Sequence, residues 1–224
     1  MRLLDLFCGA GGAAKGYHRA GFTEITGIDI VPQPRYPYTF IQSDALEYLV
    51  EHGHEYDMIH ASPPCQAYSA MTKGRWQDRL AGHPNLIGAT RELLLESGVR
   101  YVIENVPGAG SELINPIMLC GTMFNLETKG GSQLRRHRLF ECPGPFALTP
   151  PCNHKSGSVI GVYGGGQHPN RRNGKGTFGV ADRRDAMGIQ WMTGKELSQA
   201  IPPAYTEWIA HKLTPSLFNP TDTP

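Results

Sequence analysis

Apolar residues in the first half of the chain fall in short runs, most of them closed by glycine, proline or a polar residue. Residues 3–7, 25–30, 38–42, 56–61 and 99–103 read as strands. Between them, residues 13–20, 45–50 and 86–96 carry helical spacing. The first ends at Gly21 and the second is capped by Ser43-Asp44. Residues 67–84 form a loop of mixed character. Strands alternating with helices predict an α/β fold with a doubly wound, mostly parallel sheet.

The texture changes after Val106. Residues 111–125 look irregular, and 134–140 could be an arginine-rich strand. Residues 141–184 are crowded with Gly, Pro, Asn and basic side chains and give weak secondary-structure signals. Helical spacing returns at 194–200 and 204–213, and a frayed tail is expected from 214 onward. The expected organisation is one main domain from residues 1–140 and 183–224, with a small irregular region at 141–182.

Composition narrows the class. At 224 residues and 40% hydrophobic content the chain can bury a sizeable core. No stretch has the apolar length of a membrane span, and the first residues lack a signal peptide's apolar centre. The five cysteines (Cys8, Cys65, Cys120, Cys142 and Cys152) are odd in number and unevenly spaced, so no disulfide framework is implied. A soluble, cytoplasmic, monomeric protein is expected. The net charge of +1 conceals an asymmetry: residues 129–184 hold ten Lys/Arg against two acids. A basic segment on an otherwise acidic body is the footprint of a polyanionic partner, although a solvated basic loop has the same composition.

Two spacings carry chemistry. Cys65, in Ser62-Pro63-Pro64-Cys65-Gln66, follows one predicted strand, and Glu104, in Glu104-Asn105-Val106-Pro107, follows another. Neighbouring strand ends can thus present a thiol nucleophile and a carboxylic acid at one sheet edge, the equipment for attacking and protonating an electron-poor ring. At the amino end, a strand, a glycine turn, a helix and an acid (Asp29) after the next strand form a nucleotide-binding arrangement. Gly9, Gly11 and Gly12 do not match G-x-G-x-x-G, so a purely structural turn is an equal reading. Asp44 suits either a helix N-cap or a polar contact to adenine, and Phe7 and Ile30 suit either the core or an adenine wall. Cys142, Cys152, His154 and His168 fit no standard zinc spacing, and no metal is expected.

In order, Asp5-Leu6-Phe7-Cys8-Gly9-Ala10-Gly11-Gly12, Gly27-Ile28-Asp29, Ser43-Asp44-Ala45, Pro63-Pro64-Cys65-Gln66, Glu104-Asn105-Val106 and Arg136-His137-Arg138-Leu139-Phe140 resemble the DNA cytosine-5 methyltransferases. The match continues through Ala186-Met187-Gly188 to Gln199-Ala200-Ile201-Pro202-Pro203-Ala204-Tyr205, and the forms are most similar to short phage and actinobacterial members. The resemblance implies a class I S-adenosylmethionine-dependent methyltransferase fold, with residues 141–182 as a small target-recognition region. It implies S-adenosylmethionine held by Phe7, Cys8, Gly9, Ala10, Gly11, Gly12, Asp29, Ile30, Asp44, Ala45, Pro63, Gln199 and Ala200. It also implies Cys65 as the nucleophile at cytosine C6 and Glu104 as proton partner of N3. Asn105 would hold the turn, Arg138 contact O2, and Arg136 fix a phosphate or the loop. The partner implied is double-stranded DNA with its target base flipped out, touched by Gln66, Ser69, Lys73, Arg75, Arg171, Arg172 and Lys175.

The chain departs from the family pattern in two places. Leu134 stands where the arginine motif begins with Gln (Gln133 is one residue off), and Ser198-Gln199-Ala200 replaces Gly-Asn-Ser. A tRNA cytosine-5 methyltransferase and a catalytically inactive nucleic-acid-binding homologue share most of these motifs. A nicotinamide oxidoreductase fits only the first fifty or so residues.

Overall fold

A computed structural model of the chain describes residues 1–64, 86–143, 149–163 and 178–214. Five parallel strands form the main sheet as read from the sequence: β1 (Arg2–Leu6), β2 (Glu24–Asp29), β3 (Thr39–Gln42), β4 (Met58–Ala61) and β5 (Arg100–Asn105). The helices between them are α1 (Gly12–Arg19), α2 (Ala45–His52) and α3 (Ile87–Ser97). Two further strands extend the sheet, β6 (Ile117–Leu119) and β8 (Arg138–Glu141), giving the order β3-β2-β1-β4-β5-β8-β6. β8 runs antiparallel to both of its neighbours, β5 and β6. Strand order reverses at β1, with β2 and β3 on one side and β4 and β5 on the other, the switch point of a doubly wound sheet.

Side chains alternate across the sheet. Leu3, Ile25, Met58 and Val102 face one layer, formed by α1 and the last helix, α6 (Pro203–Leu213). Leu4, Ile28, Ile59 and Ile103 face the other, formed by α2, α3 and the turn at Pro107–Glu112. Each such side chain taken fully out of water contributes about 1.5–3 kcal/mol. The close packing of α1 on α6 depends on Gly16: a methyl group there would lie 2.0 Å from Thr206 Oγ1 and 2.1 Å from the Pro203 carbonyl.

The second half differs from the expectation in three ways. Residues 111–125, read as irregular, contain β6. The single strand expected over 134–140 is two: β7 (Gln133–Leu134) pairs in parallel with β9 (Val159–Ile160) in a separate small sheet, and β8 joins the main one. The chain changes sheets at Arg135–His137, where Arg136 turns inward. Finally, α4 (Val180–Met187) runs through the domain boundary expected between 182 and 183. Leu134, Ile160 and Val162 share a core with Ala186, Met187, Ile189, Met192 and Leu197, so the described part of the insert packs on the C-terminal elements. α5 (Gly194–Gln199) completes that layer.

Candidate active site

Ile28, Leu6, Ala61 and Ile103 form one cross-strand row at the carboxyl edge of the sheet. One step beyond that row lie Asp29, Phe7, Ser62 and Glu104, so a single edge brings together Asp29 and Glu104, the two acids that the spacings single out.

The amino-terminal part is a tight turn. Phe7, Gly9 and Gly11 all have positive φ (55°, 48° and 82°), and a methyl group on Gly11 would approach Pro37 Cδ to 2.7 Å. Asp29 Oδ2 accepts a hydrogen bond from the Gly9 amide at 3.0 Å, and Oδ1 one from the Val31 amide at 2.9 Å. Beside it Ile30 and Val31 are 67% and 57% exposed, unusual for large apolar side chains. Asp44 caps α2, with Oδ1 accepting from the Leu46 and Glu47 amides at 2.8 and 3.1 Å. Ala45 is buried at the start of that helix. On the far wall, Gly12 abuts Ala200 and the Ile201 carbonyl closely enough that a methyl group would clash, and the Ala10 carbonyl accepts from Trp191 Nε1 at 2.9 Å. Gln199 is exposed nearby in sequence. Cys8 is buried beside Asp5 and Asp29, and burial first, then those carboxylates, push its thiol far up, so it stays neutral.

At the β4 and β5 ends, Asn105 joins the two strands. Its Nδ2 donates to the Pro63 carbonyl at 3.1 Å while its Oδ1 accepts from the Val106 amide at 2.9 Å. The turn that leads to Cys65 is thus tied to the strand that carries Glu104. Cys65, Gln66, Ser69, Lys73, Arg75, Arg171, Arg172 and Lys175 lie outside the described residues.

Glu104 is buried, with Arg138 Nε 2.9 Å from its Oε1. The two charges are close, yet that oxygen has no aligned hydrogen bond among the described residues. Burial raises the carboxyl pKa, opposed in turn by Arg138, Arg136 and the Ser62 hydroxyl. Behind Ser62 stands a polar chain: its Oγ lies 3.1 Å from His60 Nε2, and His60 Nδ1 lies 3.0 Å from the Tyr17 hydroxyl. Burial holds His60 neutral, pushed down to about 3. In the same register row Asp5, also buried, accepts from Tyr36 at 3.0 Å. Sequence reasoning assigned no role to Asp5, Tyr36, His60, Ser62 or Tyr17, and polar residues inside apolar runs were the available signal.

Arg136 is only 1% exposed. It donates to the carbonyls of Ala200 (3.1 Å), Ser198 (2.8 Å) and Val162. Every described bond of its guanidinium therefore goes to backbone, joining the insert to the C-terminal wall. A cavity of about 400 Å³ lined by Tyr101, Ile114, Glu141 and Cys142 includes neither Glu104 nor Arg138.

The family model described as C-5 cytosine-specific DNA methylase matches residues 1–112, which hold the glycine turn, the Pro63-Pro64-Cys65 sequence and Glu104. The chain belongs to this family. Among its methylase relatives, the type II methyltransferase M.AgeI of Thalassovita gelatinovora is 28% identical over 125 residues, covering 48% of this chain and 28% of that protein. The type II methyltransferase M.HgiDI of Herpetosiphon aurantiacus is 30% identical over 121 residues, covering 49% of this chain and 38% of that protein. The matches thus span well under half the length of these curated relatives. In fold, the chain is similar to the crystal structure of the S. pombe Dnmt2 methyltransferase, with a TM-score of 0.56 and 15% identity, covering 96% of this chain and 99% of that one.

Proposed function

We propose that this chain transfers a methyl group from S-adenosylmethionine to C5 of a flipped cytosine in double-stranded DNA, through a covalent bond between Cys65 and cytosine C6. The observation that carries this reading is Glu104: a buried carboxyl with a raised pKa, one step beyond the sheet edge and joined through Asn105 to the turn that leads to Cys65. Cytosine C5 is a poor nucleophile until a thiolate adds at C6. A free thiol is only about 3% thiolate at pH 7, so attack needs assistance. Burial favours the protonated form of Glu104, which in that form shares its proton with N3 as negative charge grows on the ring, and Arg138 lies beside it to steady O2.

The sheet edge suits a nucleoside ligand. The space at Gly9 is open, with nothing within 4 Å of where a side chain would begin, and the exposed Ile30 and Val31 offer an apolar wall next to the Asp29 carboxylate. S-adenosylmethionine, when bound there, supplies an electrophilic methyl group. Methyl transfer leaves S-adenosylhomocysteine, and loss of the C5 proton to solvent with expulsion of Cys65 as thiolate then restores the aromatic ring.

Trapping tests the reading. Duplex DNA and tRNA, each carrying 5-fluorocytosine, are incubated separately with the protein and S-adenosylmethionine. The expected result is a denaturant-resistant protein–DNA complex that Cys65→Ala abolishes. No complex with any cytosine-containing duplex overturns the proposal, and a complex with tRNA alone moves the substrate to RNA.

A further inference from the structure

Away from the Glu104 edge, four metal-binding side chains from three separate segments converge. Cys120 follows β6, His137 precedes β8, and Cys152 and His154 lie in the segment leading to β9. Their ligand atoms all lie within 4.8 Å of one another. Cys120 Sγ is 3.4 Å from His154 Nε2, and Cys152 Sγ is 3.6 Å from His137 Nε2. The two imidazole rings meet edge to face, with centroids 5.3 Å apart.

We propose that these residues bind one structural zinc ion in a closed Cys2His2 site. Zinc with tetrahedral angles, S at about 2.3 Å and N at about 2.0–2.1 Å, places neighbouring sulfur and nitrogen ligands about 3.6 Å apart. The two measured separations match that edge. Two isolated thiol–imidazole hydrogen bonds account for two distances, but not for the convergence of all four groups. The donor set excludes magnesium and calcium, which take oxygen ligands, and favours zinc. Four protein ligands leave no open position, so the site is structural rather than catalytic.

The surroundings support a built site. The Thr122 hydroxyl lies 3.3 Å from Cys120 Sγ and accepts from the Asn153 amide at 3.2 Å, linking the first ligand to the segment that brings the last two. Gln133 Nε2 donates to the Asn153 carbonyl at 3.0 Å, and its Oε1 accepts from the Lys155 amide at 3.1 Å. The ligands are separated by sixteen, fourteen and one residues, which is why no sequence pattern exposes them. Of the four residues weighed from spacing alone, Cys152 and His154 belong to the cluster, Cys142 does not, and His168 lies outside the described residues.

The ion would fasten the start of the insert to the sheet. His137 sits between Arg136, which clamps the C-terminal wall, and Arg138, beside Glu104. Two thiolates offset the dication, so the clip adds no net charge to a basic segment.

The inference does not rest on methyl transfer, and its test reads the metal directly. Protein purified reduced and without chelator is expected to hold close to one zinc per chain by mass spectrometry of the metal. After chelator stripping, cobalt(II) is expected to give the intense visible bands of a tetrahedral site together with thiolate charge-transfer absorption. His154→Ala, at an exposed ligand, should weaken metal binding by more than about 100-fold, and Cys142→Ser should leave it unchanged. Cobalt that stays octahedral with the wild-type chain overturns the proposal. So does a Cys120–Cys152 disulfide in protein purified under reducing conditions.

Discussion

Glu104 is a carboxyl group whose surroundings pull in opposite directions: burial raises its pKa while Arg138, Arg136 and Ser62 lower it, and burial wins. The direction fixes two pH dependences. If the protonated form assists attack, the rate of methyl transfer falls as pH rises through the raised pKa, and Glu104→Gln lacks that alkaline limb. The same variant is expected to slow single-turnover methyl transfer by roughly 10²–10⁴-fold, the usual worth of a positioned general acid. Stability follows the linkage rule: a carboxyl with a raised folded-state pKa favours the fold below its unfolded pKa and loses that advantage as pH climbs through the folded one. The urea midpoint of the wild type should therefore decline relative to Glu104→Gln over that window. The underlying loss of unfolding free energy is about 1.4 kcal/mol for each unit between the two pKa values. A constant offset between wild type and variant across pH would refute the assignment.

At the scale of elements, the contact of α1 on α6 holds the helix that follows the glycine turn. Gly16→Ala places a methyl group against Thr206 and the Pro203 carbonyl, and backbone cannot yield as a flexible side-chain tip can. The variant should lose about 1–3 kcal/mol by denaturant titration, as overpacked cores do. An unchanged midpoint would mean that the helices separate freely. Elements of this kind were legible in the sequence because their apolar runs are buried on both faces and punctuated by turns. β6 was not, being three residues long. Nor was α4, because Val-Ala-Asp-Arg-Arg-Asp-Ala-Met buries only Ala186 and Met187 and so shows no amphipathic stripe. The arginine-rich stretch hid a change of sheet: Arg136, which composition suggests is a surface group, is among the largest fully buried side chains of the described residues. Glu104 and Asn105 could be read from their place at the end of an apolar strand. The polar chain from Tyr17 through His60 to Ser62 exists only once α1 is laid across β4, so no local pattern carries it.

For the whole molecule, charge is the dominant variable. Ten Lys/Arg against two acids lie between 129 and 184, while the chain as a whole carries +1. Duplex binding should weaken with salt, and each phosphate contact contributes about 0.9 to the slope of log affinity against log salt. Replacing Arg171 and Arg172 with alanine should therefore flatten that slope by up to about 1.8. A slope identical to that of the wild type would place the DNA on another face.

The glycine turn of residues 7–12 is translated well before the surfaces that cover it. Gly12 rests on Ile201, Gly16 on Pro203 and Thr206, and the Ala13 carbonyl accepts from Thr206. A ribosome releases residues from the amino end, so the nascent sheet waits with one face of α1 bare until α6 emerges. The turn is then completed only after residues 201–206 have left the ribosome. Chains interrupted before Pro203 expose an apolar layer to chaperones and proteases instead of folding in part.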